Sequence, residues 1–212
     1  MIHSGSDNRN DIRKIAVLAS GRGSNFEALC RGDTGHGRVT LLISDNSEAP
    51  ALNRASDLDV EALYMYPGNY RTRFGLDEEK QWADLMLDRG IGLVCLAGLM
   101  RILKGPVLET FAGRIMNIHP SLLPSFPGLN SQRQALDYGV RVSGCTVHYV
   151  DSGTDTGPVI LQRTVPVLDD DTEDSLAARI LKQEHIAYSE AVKLHCSGVL
   201  SHDGRRILRK EN

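Results

Sequence analysis

Apolar residues in the first half of the chain come in short runs, and successive runs are separated by a polar turn and a stretch of helical periodicity. The runs typical of buried strands are 14–19, 38–44, 60–65 and 92–97. The stretches between them that predict helices are 25–30, 49–58 and 77–89. Because strands and helices alternate with short connections, the pattern predicts βαβ units and a mainly parallel sheet that is covered on both faces.

The second half of the chain changes character after a predicted strand at 114–119, which Pro120 ends. A helix is predicted at 131–138. Two strands, at 143–150 and 159–165, flank a turn-rich segment and predict an antiparallel excursion. The sequence therefore indicates an α/β, Rossmann-like fold, with a mainly parallel twisted sheet, helices on both faces and an antiparallel excursion in the C-terminal half.

The last helix is predicted to start near Asp171 or Thr172, residue types that suit an N-cap, and to run to about His195. Its apolar residues form a stripe that we expect to face the core. They are Leu176, Ile180, Ala187, Ala191 and Leu194. The gap in this stripe leaves one inward position to Gln183 or Glu184. A carboxylate there is costly unless it is paired or holds a ligand, so we expect a partner or a ligand.

Composition is ordinary for a folded domain and excludes several classes of protein. The 212 residues carry a formal charge of −3, and 41% of them are hydrophobic, which argues against a disordered protein and, weakly, against a nucleic-acid partner. The longest apolar run, 91–100, is too short for a membrane span. Four scattered cysteines are typical of reduced thiols in a cytoplasmic protein. We expect a disordered lead-in at 1–13, one domain at 14–200 and a solvated basic tail at 201–212.

Segment 20–25, with the sequence SGRGSN, follows the first predicted strand and opens the first predicted helix. Glycines let the backbone approach an anion, and the amide N–H groups at a helix start can hold a phosphate. A dinucleotide site is less well supported, because Phe26 stands where the GxGxxG pattern needs its third glycine, although Asp45 ends the next strand. Phosphate binding and a plain tight turn both remain open.

Asn117 and His119 lie two residues apart in a predicted strand, so their side chains project to the same face. Pro120 places the pair at the end of that strand, where ligands bind in open α/β sheets. An Asn donor beside a His can stabilise a developing oxyanion and move a proton near neutral pH. A histidine bonded only to backbone remains the structural alternative. His148, in the middle of a later strand, is interpreted as structural.

The turn-rich segment 151–158 has some features of a calcium loop. Its third position is Gly153, however, and Gln162 stands where a bidentate glutamate should close the site, so no metal is predicted. A carboxylate in this loop, such as that of Asp155, could instead turn back toward His119 and orient its ring, as acid–histidine pairs do.

Two motifs together resemble the folate-dependent formyltransferase family: NIHPSLLP at 117–124, and Asp155 ahead of Gly157-Pro158. Three further segments are similar to the members of that family that use glycinamide ribonucleotide as acceptor. These segments are GRGSN at 21–25, AGLMRIL at 97–103 and QEH at 183–185. The resemblance extends from about residue 14 to residue 200, which is nearly the whole chain.

The resemblance implies that a formyl group passes from 10-formyltetrahydrofolate, a co-substrate, to the primary amine of glycinamide ribonucleotide in purine synthesis. It implies that Asn117 and His119 stabilise the oxyanion of a tetrahedral intermediate and that His119 passes a proton to the departing folate nitrogen. Asp155 would polarise His119 or hold a shuttling water. We expect these two small molecules as partners, no metal, nucleic acid or membrane, and a monomer or homodimer.

The resemblance also implies the binding residues. Those for the ribonucleotide are Gly21, Arg22, Gly23, Ser24, Asn25, Glu184 and Arg73. Those for the folate are Met100, Arg101, Ile102, Leu103, Asp151, Ser152, Gly153, Thr154 and Thr156. The glycine turn would bind the phosphate and Glu184 the ribose hydroxyls, with Arg71 as an alternative to Arg73 near the phosphate.

One departure from the family pattern is Gln132, which stands where a histidine is usual and which cannot titrate. Two other functions stay open on the sequence: a hydrolase that releases formate from the same donor, and a nucleotide-binding protein that has lost catalysis. The hydrolase is less favoured because such deformylases carry an extra N-terminal domain. A transfer-RNA formyltransferase is less favoured because it needs a further C-terminal domain and a basic face.

Overall fold

The computed structural model describes residues 13–210, so the expected lead-in lies outside the described residues apart from Arg13. The strands are β1 (Arg13–Leu18), β2 (Gly37–Ser44), β3 (Glu61–Tyr64), β4 (Leu93–Leu96), β5 (Ile115–His119), β6 (Val142–Tyr149), β7 (Val159–Pro166), β8 (Leu200–Asp203) and β9 (Arg206–Arg209). The helices are α1 (Ser24–Arg31), α2 (Pro50–Ser56), α3 (Leu76–Asp88), α4 (Pro106–Thr110), α5 (Ser131–Tyr138) and α6 (Glu173–Cys196).

Seven of these strands form one sheet in the order β3-β2-β1-β4-β5-β6-β7. Strands β1 to β5 pair in parallel, whereas β6 pairs antiparallel with both β5 and β7. This arrangement confirms the predicted fold class, including the antiparallel excursion. The predicted strand and helix bounds agree with the structure to within about two residues, as is usual where element ends fray.

Helices cover both faces of the sheet, and each face has its own hydrophobic core. Successive residues of β1 belong alternately to these two cores. Ile15 and Val17 belong to the core under α1, α2, α5 and α6, whereas Ala16 and Leu18 belong to the core under α3 and α4. All four side chains are fully buried. The strand is apolar at consecutive positions because successive side chains enter opposite cores.

Helix α6 begins as the sequence predicts. Thr172 is its N-cap: the Thr172 hydroxyl accepts from the Ser175 amide, and the Ser175 hydroxyl accepts from the Thr172 amide. The predicted stripe is fully buried except for Leu194, which is half-buried. None of the helices at 13–210 combines the length and apolarity needed to cross a membrane.

Two elements were not predicted. One is α4, a single short turn of helix that starts at Pro106, and five residues are too few to show a periodicity. The other is the antiparallel hairpin of β8 and β9, which occupies most of the segment expected to be a solvated tail. Leu200 and Ile207 of this hairpin pack against the core under α6. The arginines of this segment make it polar overall, so the sequence pattern did not indicate this contact.

The N-cap of α6 provides a test of helix stability. We expect Thr172→Ala to lower the free energy of unfolding by about 1 kcal/mol, because it removes the acceptor for an orphan amide of the first turn. Urea denaturation measures this difference. Asp170→Ala, an exposed change just before the cap, should stay within about 0.5 kcal/mol of the unchanged chain. Equal effects of the two substitutions would contradict a specific role for the cap.

Candidate active site

The segments predicted to bind the two substrates meet at the carboxyl edge of the parallel strands. β1, β4 and β5 are neighbours in the sheet, so the segments that follow them lie side by side. The Ser20 amide donates to the Gly98 carbonyl (3.2 Å), and the Ser20 hydroxyl accepts from the Met100 amide (2.9 Å). The turn after β1 is therefore in direct contact with the segment after β4.

The turn between β1 and α1 leaves the amino end of α1 without a side-chain cap. Gly23 is the N-cap residue, with φ of +76°, and a Cβ there would lie 2.7 Å from the Cβ of Ala51. Glycine is therefore required at this position. Arg22 is exposed beside it, and Ser24 begins the helix. Helix N–H groups without a side-chain partner form a ready anion site, so this geometry favours phosphate binding over a plain turn.

Asn25 and Glu184 connect the turn to α6. Asn25 Nδ2 donates to Glu184 Oε2 at 2.7 Å, and the side chain of Glu184 fills the inward position in the stripe. Burial raises the pKa of Glu184, and the hydrogen bond from Asn25 offsets part of that rise. A carboxylate that is costly to bury and lies beside a candidate phosphate site is typical of a ligand-binding group.

Asn117, His119 and Asp155 lie together against one face of β5. Asp155 Oδ2 is 3.4 Å from His119 Nδ1, and Asp155 Oδ1 is 3.5 Å from Asn117 Nδ2. The loop after β6 therefore does turn back to the histidine, as the sequence suggested. An amide, an imidazole and a carboxylate within contact distance can stabilise an oxyanion and relay a proton.

The imidazole of His119 is held from its other side by the segment that leads into α5. Its Nε2 donates to the Phe126 carbonyl at 2.9 Å and lies 3.1 Å from the Ser131 hydroxyl. A carbonyl oxygen can only accept, so Nε2 carries a proton and Nδ1 faces Asp155. The ring is buried, with 4% of its surface exposed. These contacts fix the ring orientation that the pair with Asp155 requires.

Asp155 is ionised by its surroundings despite being partly buried. Burial by itself raises the pKa of Asp155, but the contact with His148, the hydrogen bond from the Gly128 amide (2.8 Å) and the charge of His119 together lower it below its usual value. Asp155 also has a positive φ of 55°. This backbone conformation is costly for a residue other than glycine and is often found at functional sites.

His148 is a member of this cluster that the sequence did not predict. Its Nδ1 donates to the Tyr149 carbonyl (2.8 Å), so its Nε2 faces Asn117 Nδ2 at 3.2 Å and Asp155 Oδ1 at 3.7 Å. The reason for this proximity is that β6 pairs His148 directly opposite Asn117. The signal that would have identified it is the register of β5 with β6, which periodicity does not give.

The side chain of Arg101, assigned by resemblance to the folate, is occupied by other contacts. Its Nε donates to Asp45 Oδ2 at 2.8 Å, and its Nη1 donates to the carbonyls of Tyr70 and Arg73. The guanidinium of Arg73 lies 3.6 Å from the centre of the Tyr70 ring. Arg101 therefore anchors the segment that carries Arg73, the candidate phosphate residue, and neighbouring Arg71 is exposed.

The remaining residues assigned to the folate form two segments. Met100 and Ile102 are exposed, whereas the side chain of Leu103 is buried in the core under α3, so Leu103 offers a ligand only its backbone. The second segment, 151–156, is closed internally. Asp151 Oδ1 accepts from the Gly153 amide (3.0 Å) and the Thr156 hydroxyl (2.6 Å). The other two members of this segment, Ser152 and Thr154, are exposed.

Gln132 lies half-buried in the first turn of α5, next to Ser131, which contacts His119. It is therefore near the cluster without belonging to it. Within the described part of the chain, no three His, Cys, Asp or Glu side chains are grouped so as to hold a metal ion.

Comparison with known proteins adds independent information. A family model described as formyl transferase matches residues 13–192. Phosphoribosylglycinamide formyltransferase of Bacillus subtilis is 37% identical, over 86% of this chain and 94% of that protein. The trifunctional purine biosynthetic protein adenosine-3 of Drosophila melanogaster is 43% identical, and the match covers 88% of this chain. The chain spans only 14% of the length of that trifunctional relative.

A solved structure shows the same architecture. The crystal structure of glycinamide ribonucleotide transformylase 1 from Symbiobacterium toebii aligns with a TM-score of 0.89 and 48% sequence identity, over 94% of this chain and 95% of that one. The family match covers most of the chain, and the order of strands in the sheet agrees with the fold that the resemblance implies. The chain belongs to the formyl transferase family.

Proposed function

We propose that this protein transfers a formyl group from 10-formyltetrahydrofolate to the primary amine of glycinamide ribonucleotide. The observation that carries the proposal is the cluster of Asn117, His119 and Asp155 at the carboxyl edge of the sheet, the same edge at which the uncapped helix α1 starts. The names of the relatives from Bacillus subtilis and Symbiobacterium toebii support the same reaction. The family as a whole uses folate-derived formyl donors, and the particular donor is part of the proposal.

The reaction needs no nucleophile from the protein, because the substrate amine attacks the formyl carbon itself. Ser131, the hydroxyl in contact with His119, is buried and faces Nε2, which already carries a proton and so cannot accept one from it. Burial raises the pKa of Cys145 to about 12 and also raises that of Cys95. These groups are unsuited to covalent catalysis, which is consistent with direct transfer between two bound substrates.

Attack by the amine moves the carbonyl electrons of the formyl group onto its oxygen, and Asn117 together with His119 would stabilise that charge. The intermediate then collapses by breaking the bond to the folate nitrogen, which gains a proton while the former amine loses one. His119 would carry that proton on Nδ1, the ring atom that faces Asp155, because its Nε2 is already committed to the Phe126 carbonyl. Asp155, held ionised, would stabilise the protonated ring.

Alignment of the two substrates would follow from the contact between their segments. The phosphate would bind to the N–H groups that open α1, assisted by Arg73, and Glu184 would accept hydrogen bonds from the ribose hydroxyls. The folate would lie against 100–103 and the loop 151–156. Because the turn after β1 touches the segment after β4, this arrangement would bring the amine next to the formyl group, where proximity contributes much of the rate.

The direct test uses the two substrates together. Purified protein is mixed with 10-formyltetrahydrofolate, and loss of the formyl group is followed with and without glycinamide ribonucleotide. We expect loss only in the presence of the ribonucleotide, with formylated product appearing in equal amount. Loss without the ribonucleotide would indicate the hydrolase instead, and no loss under either condition would indicate a binding protein without catalysis.

Asp155 provides the sharpest test of the catalytic cluster. We expect Asp155→Asn to lower kcat by roughly 100-fold or more with little change in either KM, because it removes the charge and keeps the shape. His119→Ala should have a similar effect. Asp59→Asn is the matched control, because Asp59 is exposed and has nearly the same positive φ of 54°. Near-normal turnover in Asp155→Asn would contradict the assigned role.

Replacing the Glu184 carboxylate should weaken ribonucleotide binding but raise the stability of the folded chain. We expect Glu184→Gln to raise the KM for the ribonucleotide roughly tenfold, which corresponds to one charge-assisted hydrogen bond. Glu173→Gln, an exposed change at the start of the same helix, should leave this KM unchanged. An unchanged KM in Glu184→Gln would argue against a ribose contact.

The same substitution also gives a pH signature. The pKa of Glu184 is raised in the folded state, so the folded chain binds this proton more tightly than the unfolded chain, and stability falls as the pH rises above the ordinary Glu value. We expect the Tm of Glu184→Gln to exceed that of the unchanged chain at pH 8 and the difference to shrink at pH 5. A pH-independent difference would exclude this explanation.

A further inference from the structure

The hairpin of β8 and β9 lies against the base of the loop that carries Asp155. The ring of His202 in β8 is 5.2 Å from that of Tyr149, the last residue of β6 before the loop. Leu200 and Ile207 pack against the core under α6 and so fix the hairpin to the body of the protein. The hairpin is therefore packed against the body of the protein beside the loop.

Arg205, at the turn of this hairpin, reaches into the loop itself. Its Nη2 donates to the Thr156 carbonyl at 2.7 Å. Thr156 is the residue directly after Asp155, so the bond restrains the Thr156–Gly157 peptide, one residue beyond the catalytic carboxylate. A charged donor on a backbone carbonyl makes a stronger hydrogen bond than a neutral donor does.

The backbone around Asp155 has little internal support within the loop, so an external contact can set its position. Asp155 has a φ of 55°, in the left-handed region that Asp adopts more readily than most residues other than glycine. The internal hydrogen bonds of the loop run from Asp151 to Gly153 and Thr156 and do not involve the Asp155 backbone. Gly157 is closely packed against the Tyr149 carbonyl, which limits how the loop can rearrange on that side.

We infer that Arg205 is a positioning residue, which holds the backbone after Asp155 so that the carboxylate stays within reach of His119 and Asn117. The inference rests on the proposed function, because it assigns Arg205 a role in the same reaction. Arg205 itself is exposed and touches none of the three catalytic side chains in the described structure. Its effect on turnover would therefore pass through the loop.

The test compares Arg205→Ala with Arg206→Ala. Both residues are exposed neighbours in the hairpin and both changes remove one positive charge, but only Arg205 bonds to the loop. We expect Arg205→Ala to lower kcat by about three- to fivefold, the range for one exposed charged contact, with a Tm equal to that of the unchanged chain. Arg206→Ala should keep full kcat, and Arg205→Lys, which retains a charged donor, should recover part of the loss.

Hydrogen exchange supplies a readout that does not depend on turnover. We expect amides in 151–157 to exchange faster in Arg205→Ala and to be unchanged in Arg206→Ala. Unchanged exchange and kcat in Arg205→Ala, or equal losses in both variants, would overturn the inference. If the unchanged chain transfers no formyl group, the proposed function fails and the catalytic role of Arg205 fails with it. Turnover by the unchanged chain with no effect of Arg205→Ala would overturn this inference alone.

Discussion

The antiparallel pairing of β6 with β5 is the constraint on which the candidate active site depends. It sets His148 opposite Asn117 and Thr146 opposite His119, so side chains from two strands share one face of the sheet. The loop that follows β6 then folds over this face and delivers Asp155 to both histidines. A shift of this register by one residue would turn Asn117 and His119 away from His148, because side chains alternate between faces.

The two buried carboxylates of the site are held in different ways. Asp155 is surrounded by donors that the protein itself supplies, so its pKa is lowered and its charge is present before any substrate binds. Glu184 has Asn25 as its side-chain donor, and its pKa is raised by burial. A preformed charge suits a group that stabilises a transition state. A buried carboxylate with a single side-chain donor suits a group whose further hydrogen bonds come from a ligand.

The anionic character of both proposed substrates does not require a basic protein. The chain has a formal charge of −3, yet the start of α1 presents N–H groups that no side chain caps. Arg73, the residue proposed to assist the phosphate, lies on a segment anchored by Arg101, whose charge is balanced by Asp45. Local dipoles and single arginines can bind a phosphate where the net charge of the chain gives no indication of it.

The sequence by itself determined the order and type of nearly all elements, because strand and helix periodicities and the Thr172 cap are local signals. It also singled out Asn117, His119, the glycine turn and an inward position open to Gln183 or Glu184, each through spacing along one element or one turn. Only the tertiary structure decided that His148 joins this cluster, that Arg101 anchors the Arg73 segment and that the basic C-terminal segment forms a hairpin on the loop of Asp155. These contacts join residues distant in sequence, and they depend on strand register and packing, which no local pattern encodes.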